Sequence, residues 1–535
     1  MRNTIIKLLM ALTATATFTG CDDFLSEYSQ DQIVARKVQD LDDLLLGDGY
    51  LQSASIPNGP GVTRVAGFLN VLDDDVNTGR DIVDSLSESS SFVAKSWVQS
   101  LISMYGYFGW QQDVGSNYEG TNINDDAATW DEFYKHINVV NVILNEITDL
   151  PHSTKQDSLD YYRVQGEALF IRAQLYFTLV NLYADAYQEA TAASTLGVPL
   201  KLTPHVEFEF TRASVKEVYD QIVSDLTQAE RYLTLSPQNP SYYLHRASVE
   251  AVDLLLSRVY LYMQNWQLAA DKAKAVQNSQ NFYLASLASL DPEAAFLTRD
   301  NSEIIFSQGS NNLASTDIFT GRPGDYCVSN DLYSLYDDDD RRKQCFFKRY
   351  TDDPTSVIQC DSVALNYKYE RGNSLRAHVS DCFTLRVSEA WLNRMEALAM
   401  LGQTAEANSL LNDFRAERID KYAAQTYSAD ELVQQIRDER RKELCFEGHR
   451  WFDLRRYAVN ATSPFTKTLV HVYNVCNDYG WRFPRTLVLP PHDQAYTLAI
   501  PKSVIDFFTD GSMPTNPRTK REPLENATGG DTATD

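Results

Sequence analysis

Apolar residues recur at helical spacing along much of the chain. In residues 161–187 the apolar side chains follow one another at steps of three and four, which predicts one long helix. The positions that define this pattern are Ala168, Ile171, Leu175, Leu179 and Leu182. Residues 215–233 repeat the pattern directly after Ser214, a residue type that favours the N-cap of a helix. The pattern therefore predicts a mainly α-helical protein.

Two further stretches each predict two helices joined by a short turn. The first, residues 247–277, is interrupted near Gln264 and Asn265, and the second, residues 385–419, is interrupted at Gly402. Alanines recur on the second helix of each pair, at Ala269, Ala270, Ala273, Ala405 and Ala407. Small side chains let antiparallel helices approach closely, and such helix–turn–helix units resemble tetratricopeptide repeats. Units of this kind bury their apolar faces by stacking, so we expect a tetratricopeptide-like superhelix as the scaffold.

Two long segments, residues 48–120 and 284–378, lack this helical periodicity. They are rich in Gly, Ser, Asn, Asp and aromatic residues. Segments of this length are seldom simple connections, so we expect a loop-rich subregion that packs on one face of the scaffold and carries function. Residues 511–535 have the composition of an exposed C-terminal tail.

Residues 1–20 have the pattern of an export signal. Arg2 and Lys7 accompany a short apolar run that is too short to span a bilayer. Two small residues then come directly before Cys21, an order that resembles a bacterial lipoprotein signal, although Phe18 is unusual in it. We expect Cys21 to be the first mature residue and to carry the lipid. The alternative is an ordinary secretory signal with a chance cysteine.

Composition narrows the possible partners. The formal net charge is −25, which disfavours nucleic acid and anionic lipid surfaces as ligands. No other apolar run is long enough for a membrane helix, so lipid on Cys21 is the expected membrane contact. Cysteines also occur at positions 327, 345, 360, 382, 445 and 476, and their pairing is left open. The apolar helical context of Cys445 favours a buried free thiol.

The chain offers little enzyme chemistry. It contains no HExxH, GxSxG, phosphate-loop or GxGxxG motif, and its eight histidines are dispersed. We therefore expect neither catalytic residues nor a cofactor. The acidic runs at residues 73–75 and 337–340 could supply oxygen ligands to a structural calcium ion. Arg341 and Arg342 follow the second run at once, which favours local salt bridges there.

Three helical stretches and the N-terminus carry a family resemblance. The stretches are residues 166–185, residues 383–418 and, most specific, IRDERRKELCFEGHRWFDLRRYA at residues 436–458. Together they resemble the SusD/RagB family. With CDDFLSEYSQD after the signal, the resemblance implies a single domain over residues 21–510. It implies an outer-membrane, nutrient-binding lipoprotein of Bacteroidetes that partners a SusC-like TonB-dependent transporter. Asp22 and Asp23 resemble the signal that sends such lipoproteins to the cell surface.

The third stretch carries many charges beside large aromatic rings. Its key residues are Arg440, Glu443, Glu447, Arg450, Trp451, Asp453 and Arg455. Such charges are costly beside apolar rings unless they are paired. With Glu443 and Glu447 four residues apart on one helix, we expect a partly buried ion-pair network that pins the helix, rather than a ligand site.

The best ligand-binding candidates lie in the aromatic, glycine-rich loop of residues 104–120. They are Tyr105, Tyr107, Trp110, Gln112, Asn117 and Tyr118. Sugars present C–H faces that stack on aromatic rings, while amides bind hydroxyl groups. The alternative is that these rings only anchor the loop. A second candidate turn contains Arg322, Asp325 and Tyr326.

These observations favour a surface lipoprotein that captures glycan and passes it to the transporter without hydrolysis. Capture of peptide is the alternative within the same family. A surface glycoside hydrolase is disfavoured by the lack of any site signature, and a pure interaction scaffold is the third class that helical repeats allow.

Overall fold

A computed structural model describes residues 35–53, 63–78, 103–204, 211–237, 244–311, 313, 326–349, 363–365, 368–369, 379–476, 482–508 and 511–524. Cys21, Arg322 and Asp325 lie outside these residues, as does the export signal. The helices are α1 Val38–Leu44, α2 Tyr105–Phe108, α3 Ala128–Glu146, α4 Lys155–Tyr183, α5 Val215–Leu235, α6 Val249–Tyr262, α7 Trp266–Gln277, α8 Asn330–Tyr333, α9 Arg341–Phe346, α10 Val387–Met400, α11 Thr404–Ala416, α12 Ala429–Leu444, α13 Arg450–Ala458 and α14 Lys502–Phe507. The strands are β1 Val76–Thr78, β2 Ile304–Ser307, β3 Tyr326–Val328, β4 Phe347–Arg349, β5 Val363–Leu365, β6 Thr384–Arg386, β7 Leu469–Cys476 and β8 Arg482–Leu489.

The scaffold is built from helices that pack in chain order. Contacts run from α3 to α4, then through α5, α6 and α7 to α10, which packs against α11 and α12. The pattern predictions for α5, for the α6–α7 pair and for the α10–α11 pair are confirmed. The protein is therefore mainly helical with a tetratricopeptide-like architecture, as expected.

Helix α4 packs between α3 and α5 and is the longest helix of the described chain. Thr154 begins it with a capping box, in which its side chain accepts a hydrogen bond from the backbone N–H of Asp157. From Arg163 to the end of the helix every residue is buried. The helix ends at Tyr183, four residues before the predicted end, because Ala184 takes an extended conformation.

The close approach of paired helices depends on small residues, with one exception. Ala269, Ala270 and Ala273 of α7 are buried, and the Ser257 hydroxyl of α6 donates to the carbonyl of Ala269 at 2.9 Å. On α11, Ala407 is buried, but the neighbouring Ala405 is exposed. The expectation that Ala405 lies at the helix contact is therefore wrong, because that face of α11 points to solvent.

The two loop-rich segments meet through a strand pair. β1, from the first segment, pairs antiparallel with β3, from the second, with Val76 opposite Val328. The other described pairs are β2–β6, β4–β5 and the longer β7–β8 hairpin, all antiparallel. The loop-rich subregion thus holds itself together by pairing residues that are far apart in the chain.

The described part of the C-terminal tail packs against the domain. Met513 and Arg518 are 2% and 6% exposed. The Arg518 guanidinium donates to the backbone carbonyls of Gln111, Ala495 and Thr497 at 2.9–3.1 Å. Most of the other residues of 511–524 are exposed, so this part of the tail is anchored at Met513 and Arg518, and the expectation of an exposed tail stays a prediction. The limits of the domain stay a prediction.

Candidate functional site

The aromatic loop turns its rings inward. Tyr105, Tyr107 and Trp110 are 5%, 7% and 0% exposed, and the Trp110 indole N–H donates to the carbonyl of Leu72 at 2.8 Å. The expectation that these rings offer open faces to a sugar is wrong for this conformation. Their burial agrees with the alternative in which the rings anchor the loop.

Distant residues explain why the rings are buried. Phe68 stacks face to face on Tyr107 with ring centroids 4.1 Å apart, and His471 of β7 stacks on Trp110 at 4.2 Å. The loop itself closes tightly at Gly106, where a Cβ atom would lie 2.2 Å from the carbonyl oxygen of Val114. A side chain at this position would therefore push the loop apart.

The polar candidates of the loop differ in what they can offer. Gln112 is exposed. The Asn117 side chain accepts from the backbone N–H groups of Glu119 and Thr121, so it holds the turn rather than a ligand. Tyr118 is half-buried and packs on Tyr105, with ring centroids 5.4 Å apart.

The described part of the second candidate turn is also inside the protein. Tyr326, the first residue of β3, is fully buried. Its ring packs against that of Phe108 with centroids 5.1 Å apart. Arg322 and Asp325 fall outside the described residues, so their part of the candidate site stays a prediction.

Glu443 is the centre of a fully buried ion-pair network. Its carboxylate accepts hydrogen bonds from Arg342 at 3.0 Å, Arg386 at 2.7 Å and Arg418 at 2.9 Å. Burial opposes its ionisation, but the three guanidinium groups outweigh burial and hold the pKa of Glu443 well below its usual range. The network joins α9, β6, the turn after α11 and α12 in one place.

Glu447 belongs to the same network but not to the same helix. α12 ends at Leu444, and the chain then passes through Phe446 and Gly448, both with positive φ, before α13 begins. The expected placement of Glu443 and Glu447 on one helical turn is therefore wrong. The turn instead aims Glu447 at Arg386, 2.7 Å away, and Lys368, 2.9 Å away.

The remaining charges of the motif fix α13. Arg440 donates to Asp453 at 2.7 Å, and both groups are buried. Arg455 donates to the carbonyls of Asn181, in the last turn of α4, and of Ala184, directly after it. Trp451 is buried and stacks on Tyr496 with centroids 5.0 Å apart. These contacts pin α13 to the scaffold.

Three neighbouring carboxylates, those of Asp73, Asp74 and Asp75, lie within 4.8 Å of one another. Guanidinium groups already occupy two of them. Arg450 makes two hydrogen bonds to Asp74 at 2.7 and 3.0 Å, and Arg441 donates to Asp75 at 2.7 Å. Arginine side chains thus already bind the carboxylates that a calcium ion would need, so we assign no metal to this cluster.

An aromatic cleft outside the predicted loop is open to solvent. We define it by Trp130 and Tyr134 of α3, Phe507 of α14, Phe508 and Met513, around a cavity of about 370 Å³. Phe507 is 77% exposed. The Trp130 ring packs against that of Tyr134, with ring centroids 4.9 Å apart. Such an exposed ring beside a cavity is a stacking surface for a ligand.

Polar groups line the edge of the aromatic cleft. Asp131 and Ser503 face the cavity. Burial raises the pKa of Asp131, and the nearby carboxylates of Asp125 and Asp126 raise it further. The backbone N–H of Lys502 donates to Asp126 at 3.1 Å, which ties the start of α14 to the residues just before α3. The cleft therefore combines ring faces with hydrogen-bonding groups.

Sequence reasoning missed this cleft. Trp130 and Tyr134 are four residues apart, so they share one face of α3, and that signal was available. Phe507 and Phe508 are adjacent aromatics at the end of the short helix α14. Nothing in the sequence pattern places these two pairs together, because they are more than 370 residues apart in the chain.

Two family models match separate parts of the chain. The SusD-like model described as "starch-binding associating with outer membrane" matches residues 64–261, and the SusD family model matches residues 361–506. The first includes α3 to α6 and the second includes α10 to α13. In the described part of the chain, no helix is both long enough and apolar enough to cross a membrane.

Relatives and solved structures agree with these matches. SusD-like protein P38 of Formosa agariphila is 26% identical over 402 residues, covering 64% of this chain and 75% of the relative. A SusD superfamily protein from Bacteroides thetaiotaomicron has the same fold, with a TM-score of 0.64 at 21% identity over 90% of this chain and 100% of that one. A SusD-like carbohydrate binding protein from Bacteroides vulgatus gives a TM-score of 0.61 at 21% identity over 90% and 98%. On its helical scaffold and its matches to both models, the chain belongs to the SusD/RagB family.

Proposed function

We propose that this protein captures glycan at the cell surface and delivers it to a SusC-like TonB-dependent transporter. The observation that carries the proposal is the open aromatic cleft on a scaffold of this family. The family model that covers α3 is described as starch-binding and outer-membrane associated, and one structural relative is called a carbohydrate binding protein. A carbohydrate-binding role is the simplest interpretation of these two descriptions together with the open cleft.

The aromatic cleft has the chemistry that a sugar ring needs. The exposed face of Phe507 suits the C–H face of a pyranose, and the Asp131 carboxylate and Ser503 hydroxyl suit its hydroxyl groups. A cavity of about 370 Å³ falls at the lower end of the range for small-molecule sites. We therefore assign one or two sugar units of a longer glycan to this cleft.

Attachment to the outer membrane is proposed to occur through lipid on Cys21. The export-signal pattern before Cys21 supports it, and the family description names association with the outer membrane. A lipid anchor would hold the binding surface near a transporter in the same membrane, so a released glycan would meet the transporter at high effective concentration.

Capture without hydrolysis follows from the family, whose members are nutrient-binding proteins rather than enzymes. The test is titration calorimetry of the mature protein against neutral polysaccharides, acidic polysaccharides and mixed peptides, followed by a reducing-sugar assay on the same samples. We expect binding of at least one polysaccharide and no reducing-sugar release. Binding of peptides alone would favour the peptide alternative, and sugar release would overturn the non-enzymatic account.

A further inference from the structure

A second cavity, of about 230 Å³, lies between α12, α13 and the segment that follows α13. We call it the basic cavity, because four cationic side chains line it. They are Arg437, Arg441, Arg450 and Lys467. Gln434, which also lines it, is exposed, so the cavity communicates with solvent.

Three of the four cations already have carboxylate partners. Arg450 binds Asp74 through two hydrogen bonds, and Lys467 contacts Asp74 at 2.8 Å. Arg441 contacts Asp75 at 2.7 Å, and both Arg441 and Lys467 contact Asp331, at 2.7 and 2.5 Å. These charges are balanced within the protein, so they shape the cavity without demanding a ligand.

Arg437 is the cation of this cavity that has no carboxylate partner among the described residues. It is 4% exposed, and no carboxylate of the described residues lies within ion-pair distance of it. One terminal nitrogen donates to the carbonyl of Ser463 at 2.7 Å, and the guanidinium lies over the ring of Tyr457 at 4.3 Å. Its buried Nε–H has no hydrogen-bond acceptor among the described residues. A buried charge left in this state is costly unless a counter-charge completes it.

Among the described residues, no ion pair joins Arg437 to the nearby carboxyl groups. Asp438 lines the cavity but accepts its hydrogen bond from Gln434, at 2.8 Å. Burial raises the pKa of Asp438, although Arg441, Arg450 and Lys442 act in the opposite direction. Burial and the carboxylates of Asp75 and Asp74 raise the pKa of Asp73 well above its usual range, and Asp73 does not line the cavity.

We propose that the basic cavity binds the acidic group of a glycan, with Arg437 as the residue that pairs with it. One unpaired cation matches one singly charged oxyanion, which is either a uronic acid carboxylate or a sulfate ester. A phosphate ester carries nearly two charges near neutral pH and matches less well. The cavity is smaller than the ~300 Å³ at which typical ligand pockets begin, so it suits one acidic group rather than a whole oligosaccharide. That the bound group belongs to a glycan rests on the proposed function. That the group is an anion rests on the residues of the basic cavity.

The experiment is calorimetric titration at millimolar concentrations of glucuronate, glucose 6-sulfate, glucose 6-phosphate and glucose, at physiological salt. We expect glucuronate or glucose 6-sulfate to bind at least tenfold more tightly than glucose, and whichever binds identifies the source of the acidic group. The Arg437→Gln variant should lose this preference. Arg394→Gln makes the same chemical change at a residue whose partners, Gln277 and Glu406, lie away from the cavity, so it should keep the preference.

A second measurement covers the case in which Arg437→Gln does not fold. Crystals of the wild-type protein soaked in glucose 6-sulfate and in glucuronate should show the acidic group within hydrogen-bond distance of the Arg437 guanidinium. Density for it elsewhere, or no preference over glucose in solution, overturns the inference. If neutral polysaccharides still bind in that event, the proposed function stands and only the basic cavity has been misassigned. If no glycan binds at all, the proposed function has failed as well.

Discussion

Replacing Glu443 by glutamine should cost the protein a large part of its stability. The substituted amide would keep the shape of the side chain but would leave Arg342, Arg386 and Arg418 short of one negative charge in a fully buried place. Removal of one partner from a buried ion pair typically costs about 3–5 kcal/mol, because the charge that remains is neither paired nor hydrated. A single domain is stable by only about 5–15 kcal/mol, so such a loss is easy to measure.

The assay is urea unfolding followed by circular dichroism, with Glu406→Gln as the matched control. Glu406 pairs with Arg394 at 2.5 Å, but its side chain is 47% exposed, and exposed pairs contribute about 0.2–1 kcal/mol. We expect the free energy of unfolding to fall several times further in Glu443→Gln than in the control. Equal losses in the two variants would refute the reasoning that the network pins α12 to the scaffold.

Three other outcomes follow from the same structure. Folding lowers the pKa of Glu443, so its contribution to stability is complete above its unfolded pKa of about 4.5 and is lost as the pH falls below that value. The free energy of unfolding of wild type should therefore begin to decrease there, and this decrease should be smaller in Glu443→Gln. Identical pH profiles of the two proteins would contradict this. Trp110→Ala should lower the free energy of unfolding by about 3–5 kcal/mol, since it empties a fully buried site, and an unchanged midpoint in urea would show that Trp110 is not a core residue. Cys21→Ala should abolish palmitate labelling and release the protein from the membrane fraction; labelling that persists would exclude Cys21 as the attachment site.

The helical scaffold was predictable because local signals repeat along it. α5 begins after a Ser that caps it and ends close to the predicted residue. α6 and α7 separate where Gln264 takes a positive φ, and α10 and α11 separate at Gly402. Periodicity, caps and breaks act over a few residues, so one sequence is enough to recognise them.

For the motif at residues 436–458, the sequence was enough to predict buried ion pairs but not the positions of the charged residues in the fold. Its charge density indicated buried ion pairs, and Glu443 lies in such a network. The break between α12 and α13 was missed, although Gly448 gave a local signal for it. Once the break is in place, Glu447 reaches Arg386 from outside the helix.

The ligand site was least predictable, because exposure depends on distant partners. The sequence of the aromatic loop gives no signal that Phe68 and His471 will cover Tyr107 and Trp110. In the same way, Phe507 lines a cavity only because the fold places it beside α3. An aromatic ring in a glycine-rich loop can face either way, and long-range packing decides which.

The most direct test of glycan capture at the aromatic cleft is the affinity of Phe507→Ala for a polysaccharide that wild type binds. Tyr283→Ala is the matched control, because Tyr283 is 67% exposed and does not line the cleft. An aromatic residue at the centre of a binding surface typically contributes about 2 kcal/mol, so Phe507→Ala should weaken binding by roughly thirtyfold and Tyr283→Ala should not change it. Equal affinities for wild type and both variants would contradict the account and place the glycan elsewhere on the protein.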